Sequence, residues 1–191
     1  MNKTQIEWAK NPDGSQGNLL STQYIAGFFD GEGSAMVLTI RRRVNGYVTY
    51  RFRPVIKIHQ KTQGVLTQIM NTMGCGHIDK MPSGFAYIIN GLDGVLHFAN
   101  QIAHYSIVKQ ESLAAVSAVA YLQKNNHRKN VPYRRSLFER LLELREAVFE
   151  ANQRTRTGLK QKYPKEVILA EQHFIDDMEA WQKNRMRGIH R

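Results

Sequence analysis

Asp30 and Glu32 stand two residues apart, at the end of a segment with the residue pattern of a helix. The C-terminal end of a helix carries partial negative charge, so carboxylates are locally unfavourable there. A bound cation would remove that cost, and carboxylate oxygens are ligands that Mg²⁺ accepts. The pair is therefore a candidate metal site, although two solvated acids at a glycine turn would show the same pattern.

The helix that must position these acids is predicted to run from Thr22 to about Gly31, with Ser21 as its N-cap. Gly31 and Gly33 are expected to end it, because glycine adopts the left-handed conformation that follows many helices. Gly27 and Gly31 lie one turn apart and leave a smooth face. Glycine inside a helix costs about 0.5–1 kcal/mol relative to alanine. Close packing against a second copy of the helix would compensate for that cost.

The stretch from Ile25 to Ser34, IAGFFDGEGS, resembles the LAGLIDADG motif of homing endonucleases, with the small residues, both acids and both glycines in register. The resemblance extends to a predicted α-β-β-α-β-β-α order from about Leu20 to Leu122. It implies an α+β, homing endonuclease-like fold with an antiparallel DNA-binding sheet, to which this chain adds C-terminal helices. The sequence has one copy of the motif, and single-copy members of the family are similar in acting as homodimers.

The same resemblance implies catalytic roles for three side chains. Glu32 matches the acid that binds the catalytic metal, Mg²⁺ or Mn²⁺ or Ca²⁺ in its place, with the Gly31 carbonyl as an additional ligand. Gln60 is implied to position the attacking water, and Lys109 to lie near the scissile phosphate.

Two further implications concern the neighbours of these residues. Some relatives carry an arginine where this chain has Gly64, and Lys61 is the residue that could replace it. Asp30 fits the family's other acid, which supports the interface between the two motif helices. The implied dimer contacts are Ala26, Gly27, Asp30 and Gly31.

Two long strands are predicted after the helix, Ser34 to Arg43 and about Tyr47 to His59, with Asn45-Gly46 as a tight hairpin turn. Six basic residues and no acid lie in the stretch that these strands span. Family members are similar in laying such a sheet in the major groove, where strands can contact base edges. Alternation along the second strand predicts that Arg51, Arg53 and Lys57 face the DNA.

The outward face of the first strand is open at this point. Counting from the motif turns Met36, Leu38, Ile40 and Arg42 outward, whereas polarity favours Thr39, Arg41 and Arg43, and a bulge would reconcile the two. The predicted DNA-binding residues are Arg41, Arg42, Arg43, Arg51, Arg53, Lys57, His77 and Asp79. The loop from Arg41 to Tyr50 and the run His127-Arg128-Lys129 are expected to add phosphate contacts.

The remaining elements follow from apolar periodicity and turn residues. Thr62 is a suitable cap for a helix from Gln63 to Met73, a second hairpin turns at Pro82-Ser83-Gly84, and two amphipathic helices follow Val131. The predicted elements are strands 77–80 and 85–90, helices 93–102 and 109–122, and a last helix that holds Pro164 in its first turn and continues to Trp181. The predicted organisation is a flexible lead-in (residues 1–19), the endonuclease core (20–130) and a helical extension (131–191).

Composition agrees with a nucleic-acid partner. The 191 residues include 27 Lys and Arg against 16 Asp and Glu, for a formal charge of +11, which favours a polyanion partner over a membrane surface. Cys75 is the only cysteine, which excludes an intramolecular disulfide and a cysteine zinc cluster. No apolar run approaches the ~20 residues of a membrane span. We expect an intracellular protein of an organelle or a prokaryotic cytoplasm.

The sequence therefore predicts a homodimeric, metal-dependent endonuclease that hydrolyses both strands of a long, nearly palindromic DNA site and leaves 3′ overhangs. One alternative is an RNA-binding intron maturase, or splicing cofactor, that retains the fold. Another is a DNA-binding regulator built on the same scaffold.

Overall fold

The computed structural model describes residues 19–44, 47–126, 133–155, 158 and 160–174. In chain order the elements are α1 (Thr22–Glu32), β1 (Gly33–Val44), β2 (Tyr47–Gln60), α2 (Gly64–Met73), β3 (His77–Met81), β4 (Gly84–Ile89), α3 (Leu92–Ile102), α4 (Gln110–Asn126), α5 (Arg135–Thr155) and α6 (Lys165–Glu171). The strands form one antiparallel sheet in the order β1-β2-β4-β3. The predicted α+β architecture is confirmed.

Helix α1 begins as the sequence predicts, because the Ser21 hydroxyl accepts the Tyr24 N–H at 3.2 Å. Its end differs from the expectation. Gly33 is extended, with φ −87° and ψ 170°, so no left-handed turn separates the helix from β1. Glycine is needed for space instead, since a Cβ on Gly33 would lie 2.1 Å from Cδ2 of Phe29.

The β1–β2 hairpin is paired without interruption from Gly33 opposite Ile58 to Val44 opposite Tyr47. The predicted turn, Asn45-Gly46, lies outside the described residues. The even-numbered residues of β2 pack against the helices; fully or almost fully buried among them are Tyr50, Phe52, Ile56 and Ile58. Directly opposed residues of an antiparallel pair share a face.

This register decides the outward face of β1. Met36, Leu38, Ile40 and Arg42 oppose odd-numbered residues of β2 and lie on the open face of the sheet. Thr39, Arg41 and Arg43 oppose even-numbered residues and lie on the face that the helices cover. The choice based on polarity is therefore wrong, and the pairing needs no bulge.

The ends of α2, β3 and β4 each lie within one residue of the prediction. Helix α2 begins at Gly64 and not at Gln63, and it has no side-chain cap, so Thr62 does not serve as one. It ends at Gly74 in the left-handed conformation, with φ 63°, as expected. The larger core cluster joins α1, α2, α3 and α4 to β2 and β4.

The described part of the C-terminal extension packs against the helix-covered face of the β1–β2 hairpin, in the half of the hairpin that lies away from Gly33. There a second core cluster combines Tyr50 and Phe52 of β2 with Tyr133, Phe138 and Leu141. Helix α6 ends at Glu171, short of the predicted Trp181, because Gln172 is extended and, with His173, bonds to β2. Residues 175–191 lie outside the described part of the chain. No described helix is long and apolar enough to cross a membrane.

Candidate catalytic site and nucleic-acid interface

The Asp30 carboxylate organises the turn before α4. It accepts hydrogen bonds from the Ser106 hydroxyl at 2.6 Å and from the backbone N–H groups of Ile107 (2.6 Å), Val108 (3.1 Å) and Lys109 (3.1 Å). Burial raises the pKa of Asp30, but these hydrogen bonds outweigh burial, and the net pKa lies below its usual value. Asp30 therefore holds the turn that leads into α4 and places a negative charge near the N-terminal end of that helix.

The turn that Asp30 holds delivers Lys109 to the end of α1. The Lys109 ammonium donates to the carbonyls of Phe29 at 3.1 Å and Asp30 at 2.5 Å. Burial lowers the pKa of Lys109, while the negative charges of Asp30 and Glu32 oppose that shift. The structure thus anchors Lys109 at the end of the helix that carries Glu32. Lys109 also supplies part of the positive charge that the C-terminal end of α1 favours.

Glu32, the last residue of α1, is exposed, as is Gly31. The described residues contain no group of three or more histidines, cysteines or acids that could hold a metal. One exposed carboxylate with a neighbouring backbone carbonyl nevertheless suits Mg²⁺, which binds few protein oxygens and keeps several waters. The residues present fit a hard divalent cation shared with DNA phosphates or with a second protomer.

Gln60 lies at the same end of the sheet as Glu32. It ends β2 two residues after Ile58, the partner of Gly33, and it is half-buried beside β4. Lys61 follows it and is exposed, as is Gly64 at the start of α2. The catalytic roles expected of Gln60 and Lys61 stay predictions.

The exposed face of α1 is smooth. Gly27 and Gly31 are exposed, and a Cβ on either would meet nothing within 4 Å. The predicted contact by Ala26 is wrong, because Ala26 is 0% exposed within the core of its own chain. The Asp30 carboxylate turns toward residues 106–109 of its own chain, and its predicted part in supporting the interface stays a prediction.

The open face of the sheet carries several of the predicted DNA contacts. Arg42, Arg53 and Lys57 lie there in register, as do His77 and Asp79 on the far strand, where Nε2 of His77 lies 3.6 Å from Oδ2 of Asp79. Arg42 and Arg53 are exposed. The face therefore combines exposed cations with apolar side chains from β1. The further predicted contacts, His127-Arg128-Lys129, lie outside the described residues.

Arg51 has a different environment from its neighbours on β2. Its guanidinium lies 4.9 Å from the centre of the Tyr133 ring. Burial lowers the pKa of Arg51, and the interaction with Tyr133 opposes that shift. Arg51 thus packs over the edge of β2, and its predicted contact with DNA stays a prediction.

Arg41 and Arg43 lie on the wrong face for the predicted role, because they oppose Tyr50 and Val48 on the helix-covered side. The Nε of Arg41 pairs with Glu171 at 2.8 Å. Neither arginine lies with Arg53 and Lys57 on the open face, which corrects the orientation that polarity favoured. The phosphate contacts expected of the segment from Arg41 to Tyr50 stay a prediction.

Sequence patterns missed several residues that organise these sites. Glu171 lies 130 positions from Arg41, and Gln123 lies 71 from Phe52, whose carbonyl it bonds. No periodicity links residues so far apart. Ser106 donates its hydroxyl to Asp30, 76 positions earlier, so no local pattern pointed to this pair either.

The family model described as LAGLIDADG endonuclease matches residues 25–134. That is more than half of the chain, which therefore belongs to the LAGLIDADG endonuclease family. No match was found among curated protein sequences.

Solved structures share the fold. An archaeal intron-encoded homing endonuclease, I-Vdi141I, solved with DNA, is 25% identical, with a TM-score of 0.62 over 78% of this chain and 92% of that chain. I-CvuI, solved with a DNA target in the presence of Mg, is 18% identical, with a TM-score of 0.62 over 78% and 90% of the two chains. A double mutant of I-SmaMI is 20% identical, with a TM-score of 0.55, and the match covers 72% of this chain but 47% of that longer one.

Proposed function

We propose that two copies of this chain form a site-specific DNA endonuclease that cuts both strands of a long, nearly palindromic site and leaves 3′ overhangs. The observation that carries the proposal is the arrangement at the end of α1. There α1 ends in the exposed Glu32, and the Lys109 ammonium is anchored on the carbonyls of Phe29 and Asp30 in the same last turn, next to a sheet with an open basic face.

Each chain contributes distinct groups to the reaction. Lys109 is held by α1 carbonyls close to Glu32, so its positive charge can stabilise the negative charge that develops on the scissile phosphate. Gln60 is in position at the same end of the sheet to orient the attacking water. Glu32, with the Gly31 carbonyl, would hold a divalent cation, Mg²⁺ first and Mn²⁺ or Ca²⁺ in its place. The cation supplies activation of water and charge neutralisation at the phosphate.

The homodimer is supported by the exposed glycine face of α1, where the helix of a second copy can approach closely. The lengths of the related chains agree with this arrangement. I-SmaMI is about twice as long as the part that this chain matches, which leaves room there for a second such unit in one polypeptide.

Replacing Gly27 with leucine tests the dimer. Within one protomer the new side chain has open space, and leucine favours helix by about 0.8–1 kcal/mol over glycine, so the protomer should fold with an unchanged or raised Tm. A partner helix at this face would clash with it. Sedimentation should therefore show a dimer for the wild type and a monomer for Gly27→Leu. Gly91→Leu, also in open space, is the matched control; a dimeric Gly27→Leu protein would contradict the proposed interface.

Arg53 tests the DNA-binding face. It is exposed on the open side of β2, where an arginine can bond guanine through two hydrogen bonds. Arg53→Ala is expected to weaken discrimination by about 1–3 kcal/mol at one base pair of each half-site. Cleavage of a library of single-base variants measures this. Lys80→Ala, on the opposite face of the same sheet, should leave the profile unchanged, and an identical profile for Arg53→Ala would remove Arg53 from the contact face.

The function as a whole is tested by incubating the wild-type protein and Mg²⁺ with a plasmid library of randomised inserts and sequencing the linearised molecules. We expect recovery of one family of related, nearly palindromic sites. Recovery of none would overturn the proposal. Within the described residues, no specific observation favours the RNA-binding alternative.

A further inference from the structure

The Glu171 carboxylate forms hydrogen bonds with both strands of the β1–β2 hairpin, near the end of the hairpin that is remote from Gly33. Oε2 of Glu171 accepts hydrogen bonds from the Nε of Arg41, at 2.8 Å, and from the hydroxyl of Tyr50. Arg41 and Tyr50 are direct partners across the two strands. The pKa of Glu171 lies below its usual value because Arg41 and Tyr50 hydrogen-bond its ionised form.

The residues that follow Glu171 continue along the edge of β2. The side-chain oxygen of Gln172 accepts the Tyr50 N–H at 2.7 Å, and the His173 N–H donates to the Val48 carbonyl at 3.1 Å. Strand β4 pairs with β2 only from Ile56 to Gln60. Among the described residues, 171–173 thus supply polar partners to a stretch of strand edge that β4 does not reach.

Residues of α5, of α6 and of the segment between them hold residues 171–173 in place against β2. The ring of Tyr163 lies 5.4 Å from that of Tyr50. The buried Arg145 of α5 donates to the Tyr163 carbonyl at 2.6 Å and to the Gln161 side chain at 3.1 Å. Ile168 of α6 is fully buried in the cluster that contains Phe52. Glu171 is therefore presented from a fixed support.

The end of the hairpin that Glu171 contacts is remote from Glu32. Arg41 lies eight residues along β1 from Gly33, or about 26 Å at the usual rise of a strand. Stacked base pairs are spaced by about 3.4 Å, so this distance corresponds to about eight base pairs. If β1 lies along the DNA as proposed, the hairpin end faces the outer part of each half-site.

We infer that Glu171 is a positioning residue that fixes the far half of the β1–β2 hairpin and so sets discrimination at the outer base pairs of the DNA site. This inference rests on the proposed function. Glu171 acts through Arg41 and Tyr50, on the face away from DNA, and the extension outside residues 25–134 is thereby part of the recognition apparatus.

The test compares Glu171→Ala with Glu166→Ala, which removes an exposed acid from the same helix. Amide hydrogen exchange is measured first, on the full-length protein without DNA. We expect residues 47–53 of Glu171→Ala to lose at least about tenfold of their protection, with the amides of Ile56 and Ile58 unchanged. Protection equal to that of Glu166→Ala would overturn the inference.

The second arm measures cleavage of single-base variants of the selected site. For Glu171→Ala the penalty for outer mismatches should shrink roughly three- to tenfold, while inner mismatches and the rate at saturating DNA stay at the wild-type level. A uniform loss across all positions, or no change, would overturn the inference. If Glu171→Ala does not fold, Glu171→Gln, which keeps an acceptor for Arg41 and Tyr50, should give the same pattern in weaker form. If the wild-type protein cuts no DNA, the proposed function is wrong, and so is the role of Glu171 in specificity. The hydrogen-exchange measurement would still decide whether Glu171 stabilises the hairpin.

Discussion

Replacing Glu32 with glutamine is expected to abolish Mg²⁺-dependent DNA cleavage while binding of the same DNA persists. Glutamine keeps the size of the side chain but loses the charge that holds a hard divalent cation. Glu32 is exposed and lies outside the core, so the fold should be unaffected. Single-turnover cleavage should fall by at least about a hundredfold, and the affinity measured by gel shift in the presence of Ca²⁺ should stay within about threefold of the wild type.

Glu143→Gln is the matched control, because Glu143 is an exposed acid of α5 that pairs with its neighbour Arg140. It should cleave like the wild type. Retention of full activity by Glu32→Gln would show that Glu32 is not the metal ligand. A parallel loss of DNA binding would show that the substitution disturbs more than the chemistry.

Replacing Asp30 with alanine should reduce both stability and cleavage. The substitution removes the acceptor of four hydrogen bonds from residues 106–109. The free energy of unfolding should fall by about 2 kcal/mol, the range of a lost helix cap with charge-assisted bonds. Cleavage should fall as well, because the same turn places Lys109 at the end of the helix that carries Glu32. Urea denaturation and single-turnover kinetics measure the two effects.

Asp93→Ala is the control for Asp30→Ala. Asp93 pairs with Lys124, but its side chain is 81% exposed, and such pairs contribute about 0–1 kcal/mol. If Asp30→Ala were no more destabilising than Asp93→Ala, the role of Asp30 in holding this turn would be wrong. If its stability fell but its cleavage rate did not, the link from Asp30 to Lys109 would be wrong.

The contribution of Asp30 should also depend on pH in a definite direction. Its pKa is lower in the folded protein than in the unfolded chain, so the ionised carboxylate stabilises the fold above the unfolded value of about 3.9. That contribution is lost as the pH falls through the lowered, folded pKa. The stability difference between wild type and Asp30→Ala should be constant above about pH 5 and shrink below about pH 4. A difference that grows on acidification would contradict the assignment.

Local patterns predicted most of the fold because they depend on neighbouring residues. Side chains within a few positions of one another determine three features that were predicted correctly: the alternating burial of β2, the N-cap of α1 at Ser21 and the end of α2 at Gly74. The predicted end of helix α6 was too late, because contacts with residues far away in the sequence determine where this helix ends. Its apolar spacing continues to Trp181, but the helix ends at Glu171, where Gln172 accepts the Tyr50 N–H and His173 donates to the Val48 carbonyl of a distant strand. Such tertiary contacts override helical periodicity.

The site residues show the same contrast between what local sequence and what long-range contacts determine. Glu32 was chosen from the motif and Lys109 from the resemblance of residues 107–110, and the structure anchors Lys109 on the carbonyls of Phe29 and Asp30 near the end of α1; their catalytic roles stay predictions. The polar appearance of Arg41 suggested a DNA contact, yet its face is set by strand register and its partner is Glu171, far along the chain. A run of three arginines on a strand cannot face one side, because successive residues alternate.

The central claim is most directly tested by mapping both broken strands of a site selected from the randomised library. We predict one break on each strand, related by the symmetry of the near-palindrome, with 3′ overhangs and complete dependence on a divalent cation. Breaks on only one strand, ends scattered along the DNA, or equal cleavage in the presence of a chelator would contradict a homodimer that cuts through Glu32.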